Sequence, residues 1–187
     1  MEFKPAELFA ELLRFNVGHL AKLVDGLAPE SYYVRTEQRG NPLIWLLGHV
    51  VLNRGEIIEN LGGDAKTGIL ADFFARGTKP ETNPSVYPQP AQLISHMAKM
   101  STLTDKLLLS GDNQILDRPS WGRFKNVGQN LAYSYMHETH HLGQIAYIVN
   151  LPIMKKVPKK SSTFYRDDKP TNSTTKIILD GIKSVFA

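Results

Sequence analysis

Apolar residues recur at three- and four-residue steps in four long stretches of the chain, the spacing of amphipathic helices. The first stretch covers about residues 5–27, with Leu8, Leu12, Phe15, Leu20, Leu23 and Leu27 as its apolar stripe, and Pro29 closes it. The second opens at Asn41-Pro42, a capping residue followed by a proline suited to a first helical turn. It runs through LIWLLGHVVLNRGEIIENL and ends at Gly62-Gly63, where glycine accepts the backbone twist that stops a helix. The third, about residues 89–109, carries Leu93, Met97, Met100, Leu103 and Leu107, and the fourth, about residues 126–150, stops at Leu151-Pro152. Between the second and third lies a long connection with one short helix at ILADFFARG. It finishes in KPETNPSVYPQP, whose four prolines forbid a continuous helix. A last amphipathic piece, about residues 174–186, predicts a short helix on the outside. Strand signals are weak, allowing at most a minor hairpin. The pattern predicts an all-α chain: a single domain over residues 1–187, built as a four-helix bundle with a long connection between helices 2 and 3 and a short C-terminal helix over 173–187.

Composition changes this picture little. A chain of 187 residues buries a substantial core. Its formal net charge of +4 raises the question of nucleic acid, but residues 155–169 alone carry six Lys/Arg against Asp167 and Asp168. The rest of the chain therefore sums to zero, and KKVPKK, inside the basic connecting segment 155–172, reads as a solvated connection rather than a binding face. No apolar run reaches membrane-spanning length, and MEFKPAELFAELL is charged and amphipathic, unlike a secretory signal. The expectation is a cytoplasmic protein that engages neither nucleic acid nor membrane. With no cysteine, disulfides, zinc–thiolate sites and a cysteine nucleophile are all excluded.

Candidate chemistry concentrates in MHETHHLGQI, residues 136–145. With His137 at zero on a helical wheel, His141 lies at about +40°, Gln144 at about −20° and His140 at about −60°. Val127, Leu131, Ile145 and Val149 lie between about +80° and +120°, so His137 and His141 border the buried arc one turn apart. Imidazoles at i and i+4 both reach a single cation. A pair of partly buried, hydrogen-bonded histidines gives the same pattern. Two further features favour a site. Glu138, at about +100°, points a carboxylate into the apolar arc and requires something to balance it. His49 sits in WLLGHVVLN, with Asn53 and Glu56 following on its side of the helix, and bundles build metal centres from ligands on facing helices. His19 and His96 read as structural or half-exposed.

NPLIWLLGHV followed far downstream by HETHHLGQI resembles the DinB/YfiT-like superfamily of metal-binding four-helix bundles. The likeness includes the proline-led second helix, the YPQP lead into the third and the final H-x-x-x-H-x-G-Q, and it spans most of the chain. It implies that His49, His137 and His141 are metal ligands and that His140 is not. It also implies a homodimer, and an activity among those of the superfamily, which include thiol S-transferases and isomerases using bacillithiol, mycothiol or glutathione-like thiols.

Three neutral imidazoles leave a divalent ion with open positions; Zn²⁺ suits them, and so does Ni²⁺. Such a centre activates either a thiol cosubstrate or a water. Three readings follow. The first is a metal-dependent transferase moving a low-molecular-weight thiol onto a small electrophilic substrate, and the second is a metal-dependent hydrolase of an ester or amide. The third is a non-catalytic binding or interaction bundle. Asn53, Glu56, Glu138 and Gln144 are the candidates for orienting imidazole N–H groups or a bound water, or for moving a proton.

Overall fold

The computed structural model describes residues 4–36, 40–112 and 114–155. The basic run beyond Lys155 and the expected C-terminal helix lie outside the described residues.

The helices are α1 (Pro5–Val24), α2 (Leu43–Asn60), α3 (Gly68–Phe74), α4 (Pro90–Leu108), α5 (Val127–Val149) and α6 (Pro152–Lys155), with short 3₁₀ turns at Pro29–Tyr33, Pro84–Val86 and Ile115–Asp117. Local chemistry explains their ends. Pro5 and Pro90 occupy first-turn positions where no backbone N–H is required. At α4, Gln89 and Gln92 form a reciprocal capping box, and at α5 the Asn126 side chain accepts from the backbone N–H of Gln129 at 2.9 Å. The end of α2 is a Schellman turn. Gly62 adopts φ 86°, and the N–H of Gly63 reaches back to the carbonyl of Ile58 at 2.9 Å.

α1, α2, α4 and α5 form the expected bundle. α2 packs on α4 and α5, and α1 packs on the same two, which places α1 diagonally across from α2. α2 is the central element: nearly all of its residues are buried, because α3 and the connection around it cover the side that the bundle leaves open. No strand occurs among the described residues, only an isolated bridge between Pro119 and Asn126. No described helix is long and apolar enough to cross a membrane.

One expectation is corrected. The buried face of α1 is Ala10, Leu13, Asn16, Val17, Leu20 and Val24, while Leu8 is exposed and Phe15 is 70% exposed. Both series step mostly by three and four, so periodicity alone does not choose between them; they share Leu20, the expected Leu23 and Leu27 pack partly buried against the core, and Leu12 and Phe15 lie one residue, or about 100°, from the buried Leu13 and Asn16. The buried series includes Ala10 and Asn16, which carry little apolar signal. Asn16 is buried because its amide donates to Thr139 on α5 at 3.2 Å.

The long connection after α2 is ordered by its own core. Phe74 is fully buried and stacks on Tyr87 at 5.3 Å, whose hydroxyl accepts from the backbone of Glu81. Burying one such ring contributes about 1.5–3 kcal/mol. Gly48 on α2 makes this possible, since a Cβ there would collide with the Phe74 ring. The close approach brings the end of α3 against α2 beside His49.

Candidate metal centre

His49 comes from α2 and is buried; His137 and His141 come from α5, one turn apart and half-buried. The three offer ring nitrogens that all lie within 4.8 Å of one another. Nε2 of His137 is 3.4 Å from Nε2 of His49 and 3.0 Å from Nε2 of His141.

The other nitrogen of each ring is engaged. Nδ1 of His49 meets the carbonyl oxygen of Phe74 at 2.6 Å, Nδ1 of His137 meets Oδ1 of Asn53 at 3.2 Å, and Nδ1 of His141 meets Oε1 of Gln144 at 2.7 Å. A carbonyl accepts only, so His49 carries its proton on Nδ1. The Asn53 amide is oriented independently, because its Nδ2 donates to the carbonyl of Ser134 at 3.2 Å, which leaves Oδ1 to accept from His137. His49 and His137 therefore direct unprotonated Nε2 lone pairs into the group, and His141 does so with Gln144 Oε1 as the acceptor at its Nδ1. Facing lone pairs at this separation repel unless a cation lies between them. Two nitrogens bound to one tetrahedral ion at the usual zinc distance stand about 3.3 Å apart, so the donor set fits a divalent metal.

Electrostatics act in the same direction. Burial pushes the pKa of His49 down, opposed by the Phe74 carbonyl, and lowers that of His137 with help from His49 and His140. His141 is pushed down to about 4, chiefly by burial, opposed by Gln144 and reinforced by the neighbouring histidines. All three rings are neutral at pH 7 and free to ligate.

Packing fixes the rings. The Trp45 indole stacks on His49 at 4.8 Å, and its N–H donates to Thr78 Oγ1 at 2.9 Å. Thr78 in turn donates to backbone carbonyls at the end of α3, so Trp45, Phe74 and His49 are held as one unit. Across the site, Tyr133 stacks on His137 at 5.9 Å, and the Arg123 guanidinium caps the Tyr133 ring at 4.6 Å. The histidines open into a cavity of about 650 Å³ that Trp45, Glu56, Arg76, Trp121 and Tyr133 help to line.

The sequence candidates separate into distinct positions. Asn53 and Gln144 each accept from one of these imidazoles. Glu56 lines the cavity but holds no imidazole N–H, all three being taken by Phe74, Asn53 and Gln144; its carboxyl is pushed up by burial and by Glu59. Glu138 is not part of the cavity lining. It is fully buried against Arg54, whose Nη2 and Nε donate to its carboxylate at 2.6 and 3.1 Å, and Nη2 also donates to the Leu13 carbonyl at 3.2 Å. The balance that the apolar arc demanded is thus a guanidinium and not the metal site. Arg54 was missed, although a lone arginine inside LIWLLGHVVLNRGEII was its signal. His140 is exposed at the cavity edge and His19 is exposed, while His96 is partly buried with its pKa lowered chiefly by burial.

No curated protein and no solved structure matches the chain. The family model of the DinB superfamily matches residues 12–145, well over half of the chain, from within α1 through all three histidines. With its helical bundle and its convergent imidazoles, which could hold a metal ion, the chain belongs to the DinB superfamily.

Proposed function

We propose that the protein is a metal-dependent transferase that moves a low-molecular-weight thiol onto an electrophilic substrate, with Zn²⁺ or Ni²⁺ held by His49, His137 and His141. The observation that carries this reading is the uniform orientation of the three rings, every Nδ1 hydrogen-bonded outward and every Nε2 turned inward. A set of three histidines leaves the ion unsaturated, as in catalytic rather than structural sites. When bound, the ion supplies Lewis acidity, which lowers the pKa of a thiol enough for thiolate to exist at neutral pH.

The chain's own residues do the rest. Asn53 and the Phe74 carbonyl hold two imidazoles in the ligating tautomer, and Trp45 and Tyr133 keep the rings from turning. The chain has no cysteine, so the attacking sulfur comes from the cosubstrate. Its transfer forms a carbon–sulfur bond while the leaving group of the electrophile departs with its bonding pair. Glu56, a carboxyl with a raised pKa among the cavity's lining residues, would take the thiol proton or return it to the leaving group.

The test is consumption of monochlorobimane with several thiols, in protein loaded with Zn²⁺ or Ni²⁺ and in chelated protein. A rate that needs both metal and thiol is expected. Turnover of activated esters without thiol would make the protein a hydrolase, and no metal-dependent rate of either kind would leave a binding bundle.

A further inference from the structure

The cavity above the histidines has an aromatic wall that reaches beyond the rings packed on them. Trp45, Phe124 and Tyr133 belong to it, and Trp121 stands at its edge with 48% of its surface exposed. That exposure is not fraying. The loop carrying Trp121 is closed at its base by the backbone bond from Val127 N–H to the Arg118 carbonyl at 2.9 Å and by the Pro119–Asn126 bridge. Ser120 donates to Asn60 Oδ1 on α2 at 2.9 Å, and Arg123 lies over both the Phe124 and Tyr133 rings. Gly122, at φ 70°, makes the turn. The indole is therefore held half out of the protein by a loop fixed at several points, beside a concave site. A large amphipathic ring carried by a fixed loop at a cavity edge is arranged for stacking on a ligand.

The charge in the cavity is equally specific. Arg76 lines it just beyond α3 and makes no ion pair among the described residues. Glu56, on α2, is the one acidic residue of the lining, and no ion pair joins it to Arg76. Arg76 is thus the one Lys or Arg side chain of the lining, and it favours an anion.

We propose that the substrate of this cavity is planar and anionic, with Trp121 stacking on its flat face and Arg76 binding its negative group. This rests on reading the histidine cavity as a substrate site, but neither contact needs the metal.

The two tryptophans of the chain, Trp45 and Trp121, both line the cavity, so intrinsic fluorescence reports on its occupancy. The probes are 4-nitrobenzenesulfonate, planar and anionic, and 4-nitrobenzyl alcohol, planar and neutral. Both are titrated into full-length protein with chelator and again with Zn²⁺, with correction for probe absorption. The sulfonate is expected to bind more tightly by about three- to fivefold, the scale of one partly exposed ion pair. R76Q should erase that preference and leave the alcohol unchanged, and W121A should weaken both probes by about five- to tenfold, with Trp45 still reporting. Equal binding of the two probes, a preference that survives R76Q or needs Zn²⁺, or unchanged binding by W121A overturns the proposal. Failure to bind metal would remove the transferase reading and still leave the chelated titrations interpretable.

Discussion

Replacing Glu138 by glutamine should destabilise the fold without emptying the metal site. The side chains of Glu138 and Arg54 are both 0% exposed, and two hydrogen bonds join them, at 2.6 and 3.1 Å. The substitution leaves the buried guanidinium without its hydrogen-bonded carboxylate, a change that costs about 3–5 kcal/mol when one partner of a buried pair is lost. Glutamine keeps one acceptor, so about 3 kcal/mol is the value to expect. For a domain of this size that corresponds to a fall in Tm of about 6–12 °C. The assay is thermal and urea unfolding of chelated protein, with zinc titration of the folded variant alongside. Replacing both residues together, as R54M/E138M, should recover most of the loss, because no isolated charge then remains. A Tm within about a degree of the parent, or a double variant less stable than E138Q, would refute the assignment of a structural ion pair. So would loss of zinc binding by E138Q at an unchanged Tm, which would return Glu138 to the metal site.

Other consequences are as direct. N53A removes the acceptor that fixes His137 and should weaken metal affinity about 10- to 100-fold, read by competition with a chromophoric chelator, whereas Q144A, at an exposed position, should cost less. His49, His137 and His141 have depressed pKa values in the folded state, so the unfolded chain binds more protons in acid. Stability of chelated protein should therefore be complete above about pH 6.5 and fall as pH drops toward about 4, with His141 contributing on the order of 1–2 kcal/mol by urea unfolding at pH 7 and pH 5. A flat pH profile over that window would contradict the burial of neutral rings. G48A sets a methyl group against Phe74 and should cost about 1–3 kcal/mol while loosening the carbonyl that holds His49, seen as lower stability and weaker metal binding together.

Most of the bundle was legible in the chain because its helices are bounded by strong local signals. Pro90, the Asn126 cap and Gly62-Gly63 stand at the edges of helices whose limits agree with the expected ones within a few residues. The grouping of His49 with His137 and His141 was also legible, since helical geometry puts imidazoles at i and i+4 together and a second polar face on α2 needed a counterpart. Two kinds of information were not local. Which stripe of α1 is buried depends on what α4 and α5 offer, and Asn16 is inside only because Thr139 meets it. Likewise a carboxylate in an apolar arc signals that a partner exists without saying which, and here it is Arg54 rather than a metal site. The Phe74 carbonyl and Thr78, which hold His49 and Trp45, lie in the long connection, where sequence periodicity says nothing about where the backbone will pass.

The central claim is that three neutral imidazoles from α2 and α5 bind one divalent ion. The most direct measurement is calorimetric titration of chelator-stripped protein with Zn²⁺ and Ni²⁺, beside the variant H49A/H137A/H141A. The account predicts one ion per chain in the parent and no comparable binding in the variant, with both proteins folded by circular dichroism. A parent that takes up no ion in excess metal, or a variant that binds as tightly as the parent, would contradict it.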